Sequence, residues 1–320
     1  MRVLYIAHTS NLAGSNKALL NIVTQMKKKG HVILVITNDV PGALDESLVN
    51  IGVLYKKCRI CQSTWHPANS VFRRIKFNLN NIFREYRSFK DVDKIVKEFR
   101  ADIIHSNVGP LAAGIYASIV NGIPHVWHQR EFVNSYPGLN FFPSFSCFLR
   151  LAHYHNNYNI CITRGVFENI QGRKFQDVVI YDGVFSISKL PKVNVSKEKY
   201  ILFVGNIHPG KAPLGVITAF GELHKDYPDY ELLIAGNVNK ESAYYKKCIE
   251  EVEKYKIEKL VKFLGLRSDV YSLMSKAKMI VVNSEFEGFG FITAEAMLND
   301  CVVVGKNTTG TKEQFDVGLQ

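Results

Sequence analysis

No stretch of this sequence is long and apolar enough to span a bilayer: no apolar run reaches the roughly 18 residues that a spanning helix needs. No secretory leader is expected either. The opening MRVLYIAHTS has one Arg and a five-residue apolar stretch, too short for a signal-peptide core, and reads as a first strand. The expected location is the cytoplasm. Metal-binding patterns are also lacking. Six cysteines are scattered at 58, 61, 147, 161, 248 and 301. Cys58 and Cys61 have C-x-x-C spacing, but no second pair completes a zinc site. An Asp-x-Asp occurs only at Asp91 and Asp93, in a helical stretch rather than a catalytic loop. We therefore expect free thiols, no metal and no bound cofactor. Low-complexity segments are absent, and a hydrophobic fraction of 47% excludes a disordered chain.

What is present is length, and charge of one sign in one place. The 320 residues suffice for two domains. Residues 1–190 carry 23 Lys+Arg against 12 Asp+Glu, whereas residues 191–320 carry 17 of each. The whole net charge of +11 therefore sits in the first part of the chain. Such a field suits an acidic partner: anionic lipid, a phosphate-bearing acceptor or nucleic acid. An ordinary solubilising surface is the alternative.

Short apolar runs alternate with helical patterns. RVLYIA (2–7), HVILVIT (31–37), DIIHSN (102–107), HVWHQ (125–129) and NICIT (159–163) read as strands separated by helices. Near-continuous apolar strands in βαβ order predict a parallel sheet. The polar stretch SISKLPKVNVSKEK (186–199) interrupts the rhythm, and YILFVG (200–205) starts a second series. The fold class is α/β, two doubly wound, Rossmann-like domains in tandem, facing a central cleft. The expected boundaries are 1–185, a linker at 186–199, and 200–320. One segment departs from this rhythm. SVFRRIKFNLNNIFREYRSF sets Phe72, Ile75, Leu79, Ile82, Phe83, Tyr86 and Phe89 at helical spacing. Arg73, Arg74, Lys76, Arg84, Arg87 and Lys90 supply its polar face. Such a helix lies on an anionic membrane, or packs its apolar face on the sheet.

The chemistry concentrates at residues 279–298. Strand MIVVN ends, the loop SEFEGFG turns, and FITAEAML begins a helix. Gly288 and Gly290 permit a tight turn and close backbone approach. The first-turn N–H groups of the helix then form an anion site suited to a diphosphate. Glu295, one turn past Phe291, can accept two hydrogen bonds from a cis-diol such as ribose. After Gly205, the loop NIHPGK offers Lys211 as a cation for phosphate oxygens.

In order, ILFVGNIHPGK, ELLIAGN, VKFLGLRSDV and VVNSEFEGFGFITAEAML resemble the retaining GT-B glycosyltransferases of family GT4. Glu287 and Glu295 match that family's glutamate–seven–glutamate motif. DIIHSN, VWHQREF and VIYDGV look like its N-terminal half. The resemblance implies that Glu295 binds the donor's ribose. It implies that Glu287, with the backbone of Phe289, Gly290 and Phe291, meets the donor sugar and pyrophosphate. Lys211 would neutralise the diphosphate, and Arg267 lies where the base-binding loop sits. Gly14 and Ser15, in the first loop, would approach the diphosphate from the first domain, and His128 would stand near the reacting sugar. Two departures are visible. Asn206 occupies the usual Arg position beside Gly205, with Arg130 as a candidate substitute cation. The chain also stops at Gln320 where the family continues, so the C-terminal domain is expected to be incomplete.

The expected activity is transfer of a sugar from a nucleotide-diphosphate donor, UDP- or GDP-linked, to a glycan or lipid-linked acceptor with retention. Cell-surface polysaccharide synthesis is the expected setting, with the basic first domain binding the acceptor and possible peripheral contact at the inner membrane face. A non-catalytic nucleotide-sugar-binding module is the alternative. A glycosidase would need its carboxyl pair across a sugar ring, and would leave Lys211 and the tandem domains unexplained. Nucleic acid is not an expected partner, since no recognised module or aromatic-interleaved basic strand is present.

Overall fold

The computed structural model describes residues 1–65, 71–135, 139–184 and 195–316, without the side chains of 71–77. The chain divides into two compact units, Met1–Asp182 and Gly183–Gln320. The linker read at 186–199 lies outside the described residues up to residue 194, as do the side chains of Phe72, Arg73, Arg74, Ile75 and Lys76.

The first unit is a parallel sheet with helices on both faces. Its strands are β1 (Arg2–Ile6), β2 (Val32–Asn38), β3 (Leu54–Cys58), β4 (Ile103–Ser106), β5 (His125–Gln129), β6 (Asn157–Cys161) and β7 (Val178–Val179). Their spatial order is β3-β2-β1-β4-β5-β6-β7, with Val3 opposite both Ile33 and Ile103. Alternation along each strand sends side chains to opposite faces. Leu4, Ile6, Leu34 and Ile36 pack against α3 (Val71–Phe99) and α4 (Ala112–Asn121). Val3, Tyr5, Ile33 and Val35 pack against α1 (Gly14–Lys28) and α2 (Ala43–Asn50). α1 ends as its sequence predicts, with Lys27 and Lys28 in the last turn and Gly30 at φ +82°. α5 (Phe145–Ala152) lies between β5 and β6, and α6 (Arg164–Asn169) between β6 and β7.

The second unit repeats the plan with β8 (Tyr200–Val204), β9 (Glu231–Ala235), β10 (Val261–Gly265), β11 (Met279–Val282) and β12 (Val302–Gly305). The order is β10-β9-β8-β11-β12, all parallel. α7 (Pro213–Leu223) and α8 (Ala243–Tyr255) cover Ile201, Phe203, Leu232 and Ile234. α9 (Val270–Lys276) and α10 (Phe291–Leu298) cover Leu202, Leu233 and Ile280. α11 (Thr309–Asp316) follows β12. In each sheet the chain winds outward in one direction, then crosses back and winds in the other. The reversal falls between β1 and β4, and between β8 and β11. In open α/β sheets the loops at that place diverge and leave a crevice at the strands' carboxyl ends.

All six cysteines are free. Cys58 and Cys61 are buried, and burial pushes the Cys58 thiol up to about 12. Among the described residues no helix is long and apolar enough to cross a membrane.

His125 marks the centre of the first unit. It is fully buried. Asn157 gives its amide N–H to the Ala152 carbonyl (2.7 Å), so its oxygen accepts from His125 Nδ1 (2.6 Å). Ser106 then donates its hydroxyl to Nε2 (2.9 Å). Burial disfavours the charged ring and lowers its pKa to about 4. A lowered histidine pKa penalises the folded state as pH falls from the unfolded value near 6.5 towards 4. Replacing His125 by Leu should therefore destabilise strongly at pH 7.5. The gap to the wild type should shrink by about 3 kcal/mol on acidification to pH 4, read from urea denaturation curves.

Candidate functional site

In the second unit the loops after β8 and β11 leave neighbouring strands at the reversal. They are tied together: Glu285 N donates to the Gly210 carbonyl (3.0 Å) and Asn283 Nδ2 to the Ala212 carbonyl (2.9 Å). Lys211 and Glu287 complete the link as an ion pair, with side chains 29% and 15% exposed. The cation and the carboxylate singled out in the sequence thus meet across the two loops.

The Gly-Phe-Gly turn is held from behind. Gly290 sits at φ +87° as the residue capping α10, a conformation that costs glycine little. Gln314 on α11, itself buried, donates to the carbonyls of Phe289 and Gly290 (3.0 Å to the latter). Gly310 N donates to the Glu287 carbonyl (2.9 Å), and the Thr309 hydroxyl accepts from Glu287 N (2.9 Å). A Cβ at Gly310 would lie 2.5 Å from the Phe289 oxygen, so α11 can approach this closely only with glycine there. Thr293 N and Ala294 N bond back to the Gly290 carbonyl. The amides of Phe291 and Ile292 have no acceptor inside the helix, as the first turn requires. The helix dipole adds partial positive charge at the same end.

Glu295 is not a surface carboxylate. It is 7% exposed and accepts from the Tyr271 hydroxyl (3.0 Å). Burial, followed by the Glu295 charge, pushes the Tyr271 phenol up to about 12. Phe289 is buried with its ring edge-on to Phe291 at 5.3 Å. The remaining residues singled out in this unit are held differently. Gly205 gives its amide to the Ala235 carbonyl (2.9 Å), and its own carbonyl crowds Gly236, where a Cβ would come within 1.9 Å. Asn206 accepts from Asn237 N (3.3 Å), so the side chain at the family's Arg position staples the next loop. Arg267 follows the edge strand β10, away from the reversal, with its guanidinium forked on Asp269 (2.8 and 2.7 Å).

In the first unit, Gly14 and Ser15 do not lie in a loop. α1 starts at Gly14, so both occupy its first turn. Buried Asn16 closes the loop before it, donating to Thr9 and Asn11 (2.8–3.1 Å). Asn107 after β4 donates to the Ser15 carbonyl (3.0 Å) and accepts from Arg130 Nε (2.9 Å at its carbonyl). Arg130 is 5% exposed and ion-paired to Asp182. It is therefore paired inside its own unit.

The same guanidinium sets the state of His128. Arg130 Nη2 lies 3.3 Å from His128 Nδ1, and arginine only donates. Nδ1 is therefore the acceptor, and the neutral ring carries its proton on Nε2. Burial, reinforced by the Arg130 charge, holds the imidazolium pKa well below the usual range. Nε2 is buried with no hydrogen-bond partner among the described residues. His128 is thus a desolvated donor for an oxygen acceptor, not a base at neutral pH. His105, its ring 5.6 Å away, is likewise held neutral by burial, at about 3. No group of three or more His, Cys, Asp or Glu among the described residues is placed to hold a metal.

Sequence reasoning missed Tyr271, Thr309, Gln314, Asn107 and Asp182. Asp182 lay within the quoted VIYDGV and Asn107 within DIIHSN, both without a role, and Tyr271, Thr309 and Gln314 carry no local signal. Replacing Gln314 by Ala should leave two carbonyls of the turn short of a donor. The expected cost is about 1–3 kcal/mol, with faster amide hydrogen exchange at 287–292 than in the wild type.

Comparison with known proteins adds to this geometry. Residues 12–184 match the family described as Glycosyltransferase Family 4, and residues 187–319 match Glycosyl transferases group 1. The chain is 29% identical over 120 residues to the N-acetylgalactosamine-N,N'-diacetylbacillosaminyl-diphospho-undecaprenol 4-alpha-N-acetylgalactosaminyltransferase of Campylobacter jejuni, covering 37% of this chain and 31% of that protein. It is 30% identical over 113 residues to the poly(glycerol-phosphate) alpha-glucosyltransferase of Bacillus subtilis, covering 35% of this chain and 16% of that one. The matched stretch is therefore under a third of either relative's length. The crystal structure of Anabaena Alr3699/HepE in complex with UDP-glucose superposes with a TM-score of 0.77 at 20% identity, over 98% of this chain and 82% of that one. The family match extends over more than half of the chain, and with two Rossmann-like sheets in tandem this chain belongs to glycosyltransferase family 4, in the GT-B class of folds.

Proposed function

We propose that this protein transfers a sugar from a nucleotide-diphosphate sugar to a glycan or lipid-linked acceptor, with retention at the anomeric carbon, in cell-surface polysaccharide synthesis. One observation carries the reading: Lys211 and Glu287 meet across two loops tied at the β8–β11 reversal, and the second loop runs directly into α10, which bears the free first-turn amides and buried Glu295. That set matches the parts of a nucleoside diphosphate sugar. Glu295 would accept the ribose hydroxyls, with Tyr271 holding its carboxylate. The α10 amides and Lys211 would take the diphosphate, and their positive charge would stabilise it as the leaving group. Diphosphate binding draws Lys211 from Glu287, and the freed carboxylate would then accept sugar hydroxyls.

The Anabaena complex supports a uridine donor. The Campylobacter relative is named for a diphospho-undecaprenol substrate and the Bacillus relative for poly(glycerol-phosphate). A phosphate-bearing acceptor of that kind suits the positive charge of residues 1–190. A second reading, nucleotide-sugar binding without turnover, is favoured by the commitment of Asn206 to Asn237 and of Arg130 to Asp182. Both leave Lys211 to face the diphosphate without the expected Arg.

Thermal shift should find stabilisation by UDP and UDP-sugars. Glu295→Ala should weaken UDP at least tenfold, since charged hydrogen bonds are worth about 1.5–3 kcal/mol each. Absence of any nucleotide response would sink both readings. In a turnover assay with the best donor, Lys211→Met should lower kcat by about a hundredfold or more. Binding without turnover in the wild type would select the second reading.

A further inference from the structure

The loop after β8 departs from the family's pattern at one position. Residue 206 is Asn where the pattern has Arg, and its side chain accepts from Asn237 N (3.3 Å). A diphosphate beside Lys211 therefore meets one cation from this loop instead of two. His208 stands in the same turn. Lys211 N and Ala212 N both donate to the His208 carbonyl (3.1 and 3.2 Å). The chain thus folds tightly over Pro209 and Gly210. Such a turn brings its first and fourth residues, His208 and Lys211, within about 7 Å at Cα.

The turn also sets the state of the imidazole. Gly210 N donates to His208 Nδ1 (3.1 Å). A backbone N–H only donates, so Nδ1 is the acceptor and the neutral ring carries its proton on Nε2. A Cβ on residue 210 would press on ring atom Cε1 at 3.0 Å, so glycine keeps this seat open. Among the described residues, the charges that face the ring are Lys211 from its own loop and Glu287 from the loop after β11. Glu285, the other acid of that loop, is paired with Lys306. Burial, followed by the Lys211 charge, holds the imidazolium below its usual range. At pH 7.5 His208 is therefore an exposed, neutral N–H donor in the turn that carries the lysine.

We propose that His208 is a second diphosphate ligand of this site: its Nε2–H donates to a diphosphate oxygen of the donor beside Lys211, a contact that Asn206 at the Arg position does not make. The inference rests on the donor-binding reading and deepens it. A neutral donor supplies direction without charge, and its bond draws strength from the phosphate's charge alone. The loop then grips the diphosphate with one cation and one dipole, so a cation restored at position 208 tightens the grip.

Titration calorimetry of the full chain at pH 7.5 tests it, with whichever of UDP-glucose and GDP-mannose binds more tightly. The matching nucleoside, measured by competition, is the control without phosphate. His208→Ala should weaken the nucleotide sugar about tenfold, the worth of one hydrogen bond to a charged group. His208→Gln, which keeps an N–H donor, should lose less. His208→Arg should bind more tightly than the wild type, with a steeper fall in affinity as salt rises. The nucleoside should bind all four proteins alike. Long-range proton–nitrogen spectra should place the His208 proton on Nε2, and that signal should move with the nucleotide sugar but not with the nucleoside. A His208→Ala protein that binds the nucleotide sugar as the wild type does overturns the inference and leaves the donor reading in place. So does one that loses nucleoside and nucleotide sugar equally, since His208 then only shapes its loop. A wild type that binds neither nucleotide sugar overturns both.

Discussion

Parallel strand pairing across a reversal of chain direction is the constraint on which the rest depends. Each sheet winds outward, returns to its starting strand and winds the other way. At that place the two loops leave neighbouring strands and diverge, so side chains distant in sequence share one crevice. β8 and β11 bring Lys211 to Glu287 in this way. β1 and β4 bring Asn107 to the first turn of α1, and β5 adds Arg130 and His128.

The two places hold charge in different ways. The Lys211–Glu287 pair is partly exposed, so its net worth to stability is small and its exchange for a phosphate contact is not costly. The Arg130–Asp182 pair is buried, and separating it would leave an uncompensated charge. The first is suited to open on ligand binding. The second is a fixed part: burial and then the Arg130 charge hold His128 neutral, and Arg130 sets its proton on Nε2.

α3 shows how buried polar groups can govern an apolar face. Buried Asn81, on the Thr64 carbonyl, and buried Ser88, on Cys61 N, are satisfied only with the helix in one rotation, and that rotation leaves Leu79, Ile82, Phe83 and Tyr86 exposed. A helix with two candidate apolar faces is positioned by whichever orientation satisfies its hydrogen bonds as well as its hydrophobic contacts.

The sequence by itself determined the elements and the fold class. Apolar runs of strand length, separated by helical periodicity and stopped by glycine, specify parallel βαβ units through local preferences. The Gly-Phe-Gly turn between Glu287 and Glu295 was legible for the same reason: glycines and a helix start are short-range signals. Only the tertiary structure decided what lies across from them. Tyr271 on Glu295, Gln314 behind the turn, Asp182 on Arg130 and Asn206 turned to Asn237 are contacts between chain segments that no local pattern joins. It also decided which face of α3 is inside, and that Gly14 and Ser15 begin a helix. Periodicity states which residues share a face; burial and hydrogen-bond satisfaction in the packed molecule choose the face that is covered.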